Sequence, residues 1–250
     1  MSVDQPMLSE LMTAYLRRKM QGTTSGRTPG DVEPYDAVPG HALDAQQTWT
    51  EANSALAAFG LAGPASPPVE WAEAIAALEP EVAVPFAAGH FPQAVRDLAR
   101  LARAAESGTA TPATSRGSSV ALDHWIEVQG RSADLAGRLL AAGVLRMAGQ
   151  LDRAGELLQA CEAKAGGDHA APLGNERAAL LWRKGEHSAA TELWNRLPDH
   201  TPILFNRGLA ALFLGDKAQA RLALDAAVKR IAETSGWQHL GRLYLALAQG

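Results

Sequence analysis

The sequence predicts an all-α protein, and three observations support this fold class. Alanine accounts for 50 of the 250 residues, whereas Val and Ile together account for only 15. Alanine has the highest helix propensity, and β-branched residues are the ones enriched in strands. From Ser132 onward, the pattern is one of regularly spaced helices joined by short turns. A substantial β-sheet is therefore not expected.

The distribution of proline divides the chain into two parts. Eleven of the 14 prolines lie in residues 1–134, and the other three fall where helices should begin or end. We predict an irregular, proline-rich helical region over residues 1–133 and a regular array of helices over residues 134–250. A length of 250 residues is compatible with one extended domain or with two small ones.

The first part is predicted to contain separate helices and two long loops. Pro80, Pro85 and Pro92 restrict any helix between residues 79 and 90 to a short or kinked one. Gly60 is expected to end the second helix. Composition rich in Gly, Ser, Thr and Pro predicts loops over residues 21–40 and 107–119. Helical spacing of apolar residues predicts helices over residues 9–20, 42–59, 69–78, 91–106 and 120–129.

Three turns define the pattern of the second part. In residues 149–154, 185–190 and 215–220, a Gly precedes an Ala by five residues. Glycine permits a tight turn, small residues on both helices let the helix axes approach, and a large residue closes the pair. The turns recur after 36 and 30 residues, and Gly208 and Gly241 lie 33 residues apart. The small residues seven positions before each Gly are Ala142, Ala178 and Gly208, and the large residues four positions after each Ala are Leu158, Trp194 and Leu224.

The last predicted helix contains the most specific motif. Trp237-x2-Leu240-Gly241-x2-Tyr244 resembles the first-helix signature of the tetratricopeptide repeat family, whose period is about 34 residues. The resemblance covers residues 134–250 and implies a right-handed solenoid of three helical hairpins and a terminal helix. This last helix alone carries both the Trp and the Tyr of the signature. Residues 89–94 repeat the turn pattern, so residues 75–106 are a candidate for one degenerate repeat.

The resemblance also implies a concave groove, lined by the first helix of each pair, that binds a peptide. Arginines beside aromatic rings suit an extended or helical peptide with apolar anchors and acidic flanks. The residues that face this groove by their positions relative to the turns are Arg146, Met147, Asn175, Trp182, Arg183, Phe205, Asn206, Leu209, Phe213, Gln238 and Arg242.

One subtype of this groove is disfavoured, and two alternatives to the groove assignment stay open. Family members that clamp a C-terminal carboxylate use Lys, Asn and Arg; Asn206 fits that pattern, but Asn175, Ser235 and His239 do not. Trp182 and Phe213 are equally consistent with a role in the core. Residues 1–134 carry 16 acidic and 9 basic residues, net −7, and residues 135–250 carry 11 and 14, net +3. Opposite charges would permit the first part to fold back and occupy the groove.

Motifs for catalysis and cofactor binding are absent from the sequence. No His pairs with another His at helical spacing, and there is no phosphate loop, Gly-x-Ser-x-Gly elbow or dinucleotide fingerprint. Cys161 is the single cysteine, which excludes an intrachain disulfide and a cysteine-based zinc cluster. We therefore expect a protein that is not an enzyme and has no cofactor or metal. An enzyme with its site in residues 1–133 is the least favoured alternative.

The expected function is that of a scaffold or adaptor that binds a peptide segment of another protein. The net charge of −4 gives no indication of nucleic acid, and the absence of a long apolar run or a secretory signal predicts a cytoplasmic protein without a membrane partner. The alternative is a homodimer formed through the C-terminal helix. The apolar residues of that helix are too many for one narrow face: Leu240, Leu243, Tyr244, Leu245 and Leu247.

Overall fold

The computed structural model describes residues 45–76, 83–92, 120–162 and 169–249. Within these ranges the regular structure is helical and no strand is formed, which confirms the all-α prediction. The helix predicted over residues 9–20 and the loops predicted over 21–40 and 107–119 lie outside the described residues. The helices are α1 Ala45–Ala58, α2 Trp71–Ala76, α3 Val120–Arg131, α4 Leu135–Met147, α5 Leu151–Glu162, α6 Ala170–Arg183, α7 His187–Arg196, α8 Thr201–Phe213, α9 Lys217–Val228 and α10 Gly236–Gln249.

Successive helices of the second part pack as pairs. Helices α4 and α5, α6 and α7, and α8 and α9 pack against each other, and α10 packs against α9 and α8. Helix α3 packs against α4 at the other end of the series. The pairs and the terminal helix are those that the turn pattern predicted.

The turns within the three pairs share one backbone geometry. Gly149, Gly185 and Gly215 have φ angles of 77°, 83° and 85°, in the left-handed region that favours glycine. At the first turn, Gly149 N–H donates to the carbonyl of Arg146, and the following N–H, of Gln150, donates to the carbonyl of Leu145. The other two turns repeat both bonds. Because no described atom lies within 4 Å of the position that a Cβ would take at these glycines, the backbone and not the packing requires them.

The small residues bring the paired helices into close contact, as predicted. A Cβ at Gly208 would lie 2.5 Å from Leu224 Cγ and 2.9 Å from the backbone nitrogen of Leu224. Ala154, Ala190 and Ala220 are fully buried. Helix α8 therefore touches the backbone of α9 at a point where no side chain fits between them.

The described part of the first region contains α1, α2, α3 and one non-helical segment. Helices α1 and α2 lie inside their predicted ranges, and α1 ends before Gly60, whose φ is 75°. Residues 83–92, in contrast, are not helical. This is a difference from the degenerate repeat suggested for residues 75–106, as far as that range is described. The N–H groups of Val84, Phe86 and Ala88 bond to side chains of other helices, and a single turn closes the segment through a bond from His90 N–H to the Ala87 carbonyl (3.2 Å).

Helix α1 connects both ends of the helix series. The Glu51 carboxylate accepts hydrogen bonds from Gly236 N–H (2.8 Å) and Ser235 Oγ (3.2 Å) at the start of α10. The Glu51 carbonyl accepts from Trp237 Nε1 (3.0 Å). Towards the other end, the Trp49 ring lies edge-on to Trp125 of α3, with centroids 5.6 Å apart. Residues from both predicted parts therefore share common apolar cores.

The membrane question can be answered for the described helices alone. None of α1 to α10 is both long and apolar enough to cross a bilayer.

Two glycines within helices give opposite predictions for substitution by alanine. Gly208→Ala should destabilise the protein by about 1–3 kcal/mol, because the Cβ would meet the backbone of α9. Gly155→Ala should stabilise it by about 0.5–1 kcal/mol, because alanine favours a helix and the nearest atom, Leu180 Cδ2, lies at 3.6 Å. Urea denaturation of both variants measures the difference. Equal shifts of the two midpoints would contradict the close approach of α8 and α9.

Candidate functional site

The side chains of helices α4, α6, α8 and α10 bind a non-helical segment of the same chain. We call residues 83–90 the inner segment. Ala83 is half-buried and residues 84–90 are buried. Residues 82–92 contain no Asp, Glu, Lys or Arg, as burial of a whole segment requires. Each buried N–H and C=O of such a segment needs a hydrogen-bond partner.

Two asparagines bind the backbone of Phe86 from adjacent helix pairs. Asn206 of α8 accepts from Phe86 N–H through Oδ1 (2.6 Å) and donates to the Phe86 carbonyl through Nδ2 (3.2 Å). Asn175 of α6 donates to the same carbonyl (3.1 Å). The Asn175 Oδ1 accepts from Asn206 Nδ2 (2.8 Å) and Trp194 Nε1 (3.1 Å), which fixes the orientation of both amides. These contacts recognise a peptide unit regardless of its side chain.

A buried ion pair binds the backbone of Ala88. Glu176 of α6 accepts from Ala88 N–H (2.8 Å), and Arg146 of α4 donates to the Ala88 carbonyl (2.9 Å). The two side chains bond to each other at 2.9 Å, and their exposed fractions are 0% for Arg146 and 2% for Glu176. Burial raises the pKa of the Glu176 carboxyl, and the charge of Arg146 opposes that rise. Each charge therefore depends on the other, and both depend on the inner segment.

The start of the inner segment is bound by two aromatic side chains. Tyr244 Oη of α10 accepts from Val84 N–H (3.1 Å), and Trp182 Nε1 of α6 donates to the Ala83 carbonyl (3.3 Å). The N–H groups of residues 84, 86 and 88 thus donate to side chains of three different helices. These side chains supply the acceptors that a helical turn or a neighbouring strand would otherwise offer to a buried backbone.

An aromatic pocket holds the Phe86 side chain. Its ring stacks on Trp237 with centroids 4.3 Å apart and an interplanar angle of 16°. Phe205 meets the same ring edge-on at 5.5 Å. The pocket is formed by the first residues of α10 and by α8, so the motif that carried the family resemblance contributes directly to this site.

Backbone meets backbone where the inner segment crosses α4. A Cβ at Gly143 would overlap the Ala88 carbonyl and lie 2.6 Å from its carbon. A Cβ at Gly89, whose φ is 80°, would lie 2.8 Å from the carbonyl carbon of Gly143. Gly89 N–H donates to the Ala52 carbonyl of α1 (2.9 Å). The segment is therefore enclosed between α1 and the helix pairs.

His90 is a buried titratable group at the end of the inner segment. Its Nδ1 lies 3.2 Å from the Pro85 carbonyl oxygen. Burial lowers the pKa of His90 well below its ordinary value, and the charges of Arg146 and Arg183 lower it further. The imidazole is therefore neutral when the segment is in place at neutral pH.

Five of the predicted groove residues bind the inner segment through hydrogen bonds or ring contacts. They are Arg146, Asn175, Trp182, Phe205 and Asn206. The other six lie in varied surroundings: Leu209, Phe213 and Gln238 are buried, Met147 is half-buried, and Arg183 and Arg242 are exposed.

The arginines expected to face acidic flanks do not form one basic surface. Arg146 is fully buried against Glu176, and Arg242 pairs with Glu233 on the surface at 3.6 Å. Trp182 and Phe213 are both buried, with ring centroids 4.9 Å apart, as the alternative assignment to the core suggested. Trp182 combines this role with its bond to Ala83.

Sequence reasoning missed Glu176, Tyr244 Oη, Gly143 and the inner segment itself. A signal for the segment was present, because residues 82–92 form an uncharged run interrupted by Pro85. A signal for Glu176 was its position beside Asn175 in a helix of mostly apolar residues, where a polar residue on the buried face needs an explanation. The pairing of Glu176 with a residue 30 positions away has no local signature.

Comparison with known proteins adds no relative. No protein-family model, curated protein or solved structure matches this chain. Within the described residues, no group of three or more His, Cys, Asp and Glu side chains could hold a metal ion.

The apolar surplus expected on the C-terminal helix is covered by the chain itself. Leu240, Tyr244 and Leu247 are buried, and Leu243 and Leu245 pack against the same core. The large apolar side chains exposed in the described residues belong to other elements. Leu243 and Leu245 are half-buried, and dimerisation through α10 stays a prediction.

The buried ion pair predicts a large effect of a small substitution. Glu176→Gln should reduce the free energy of unfolding by about 3–5 kcal/mol, because it leaves Arg146 charged and without its counter-ion in the interior. Glu192→Gln is the matched control: it breaks an exposed pair with Arg196 and should change stability by less than about 1 kcal/mol. Chemical denaturation at pH 7 compares the two. A small effect of Glu176→Gln would mean that the pair is not buried in solution.

The lowered pKa of His90 predicts a loss of stability in mild acid. The unfolded chain takes up the proton below about pH 6.5, whereas the folded chain resists it, so stability falls as pH falls below that value, by up to about 1.4 kcal/mol per pH unit. Denaturation at pH 7.5, 6.5, 5.5 and 5.0 should show a shallower fall for His90→Gln. Burial also lowers the pKa of His187. Both chains retain His187, so its contribution cancels in the difference between the two stability curves. Parallel curves for the two chains would refute the assignment.

Proposed function

We propose that the chain is a protein–protein interaction scaffold of tetratricopeptide type. In this proposal the helix pairs α4 to α10 form a right-handed solenoid, whose concave groove binds an extended segment of a partner protein. The inner segment occupies that groove as an intramolecular ligand. The observation that supports the proposal best is the two-bond contact between the Asn206 amide and the backbone of Phe86.

Backbone recognition favours a binding role for the groove. The contacts of Asn206, Asn175, Glu176 and Arg146 are made to N–H and C=O groups, which every extended segment of the same register offers. Main-chain bonds of this kind supply affinity when a peptide is added beside a strand, and side-chain pockets supply specificity. The groove has both, with the aromatic pocket around Phe86 as the side-chain element.

The tether between the inner segment and the groove implies competition with a partner. A ligand that is covalently linked to its groove binds intramolecularly, at an effective concentration that the link sets. A partner segment must therefore displace residues 83–90 and also α1, because Ala52 bonds to Gly89 across the segment. In this proposal, partner binding and opening of α1 are linked, so the first part of the chain controls access to the groove.

Gly89 of the inner segment and Gly143 of the groove are in backbone contact, so each side of this contact can be changed by its own substitution. Gly89→Ala should prevent the inner segment from seating, because the Cβ would meet the backbone of Gly143. The residues that line the groove are unchanged in this variant. A fluorescein-labelled peptide with the sequence of residues 82–92 should then bind Gly89→Ala at least about tenfold more tightly than wild type. Fluorescence anisotropy measures both affinities.

Matched controls test whether the binding site is the groove. Gly89→Ala combined with Gly143→Ala should not bind the peptide, because the second Cβ would occupy the position of the Ala88 carbonyl. Gly60→Ala has the same left-handed backbone strain at φ 75° with no described atom within 4 Å of the added Cβ, and should bind no better than wild type. A folded Gly89→Ala chain that fails to bind the peptide would sink the proposed function.

A further inference from the structure

We infer that the groove selects an uncharged segment with the pattern aromatic–small–small–glycine, and that the partner is a protein presenting this pattern in the backbone conformation that residues 86–89 adopt here. The inference rests on the proposed function of the groove. It goes further because it names the side chains that a bound segment must carry. Each position of the pattern is set by a different contact of residues 86–89.

The aromatic position is set by the pocket around Phe86. The ring is 3% exposed, stacks on Trp237 and meets Phe205 edge-on. Phe205 and Trp237 themselves are in edge contact, with centroids 5.7 Å apart, so the pocket walls support each other. A small residue at this position would leave the two rings without their shared neighbour. An aromatic ring is therefore the required anchor.

The two small positions follow from complete burial. Ala87 and Ala88 are both 0% exposed, and they belong to two different apolar cores. The carbonyl of Ala88 also lies against Gly143 and is bonded by Arg146. A larger side chain at either position would have to displace packed residues, which close-packed interiors tolerate poorly.

The glycine position is the most restrictive. The φ of Gly89 is 80°, and an added Cβ would lie 2.8 Å from Gly143 C and 2.9 Å from Val144 N. These neighbours are backbone atoms of α4, which cannot rotate away as a flexible side chain can. Both the conformation and the contact therefore exclude every residue except glycine at this point.

The remaining positions explain why the segment is uncharged. Residues 84–90 are all buried, so a charged side chain among them would require a partner charge in the interior. Pro85 lies between two residues whose N–H groups are bonded, and proline has no N–H that needs a partner. Proline at the position before the aromatic residue is thus compatible with the groove.

The test is a panel of labelled peptides measured against the full-length Gly89→Ala chain. The reference peptide has the sequence of residues 82–92, and three variants carry Phe86→Ala, Ala88→Leu or Gly89→Ala. We expect each variant to bind at least about 30-fold more weakly than the reference, with the Phe86→Tyr peptide within about threefold. A scrambled peptide of the same composition should not bind.

The outcomes separate this inference from the proposed function. Binding of the reference peptide with equal binding of the Ala88→Leu or Gly89→Ala peptide overturns the pattern and leaves the groove function standing. Failure of every peptide overturns both. If Gly89→Ala loses helix content by circular dichroism, the Phe86→Ala chain replaces it, with the same expectations. Loss of helix content in both chains would make the segment part of the fold and overturn both proposals.

One further measurement decides between a partner and a second copy of this chain. Light scattering of the wild-type chain should show a monomer across micromolar concentrations. A dimer that disappears in Gly89→Ala would mean that chains exchange their inner segments, and this would overturn the assignment to a different protein.

Discussion

The packing of the helix pairs depends on how the buried backbone of the inner segment is hydrogen-bonded, because no strand lies beside it in the described residues. A segment that is enclosed on both sides must have its N–H and C=O groups bonded, and the described helices have no strand to offer. Here the missing donors and acceptors come from five side chains: Asn175, Asn206, Glu176, Arg146 and Tyr244. These polar groups are in turn buried, so they require the segment as much as it requires them. Segment and helix pairs therefore stabilise each other.

The buried ion pair also links the helices to the inner segment. Arg146 and Glu176 bond to each other, and each has a further bond to Ala88. Loss of the segment would expose or orphan groups on two helices at once. A segment of another chain would restore the same bonds. The buried polar groups therefore need a bound segment, whichever chain supplies it.

The sequence predicted those features that depend on local geometry. Gly149, Gly185 and Gly215 were identified because a left-handed turn needs glycine wherever it occurs, and Gly208 because helix axes approach only at small residues. Asn206 was predicted to face a groove from its distance to a turn, and its amide bonds to the backbone of Phe86. The inner segment was not predicted, because its conformation is determined by side chains 58 to 160 positions away. Pro85 excluded a regular helix but did not indicate what the segment binds.

The position of helix α1 also affects how the helix series resists mechanical force. It is bonded to the start of α10 through Glu51 and contacts α3 through Trp49, so it links the last helix of the series to the first. Pulling the two ends apart must first stretch these contacts, before any helix pair separates from the next. Removal of α1 would break both contacts and leave α3 and α10 linked only through the helices between them.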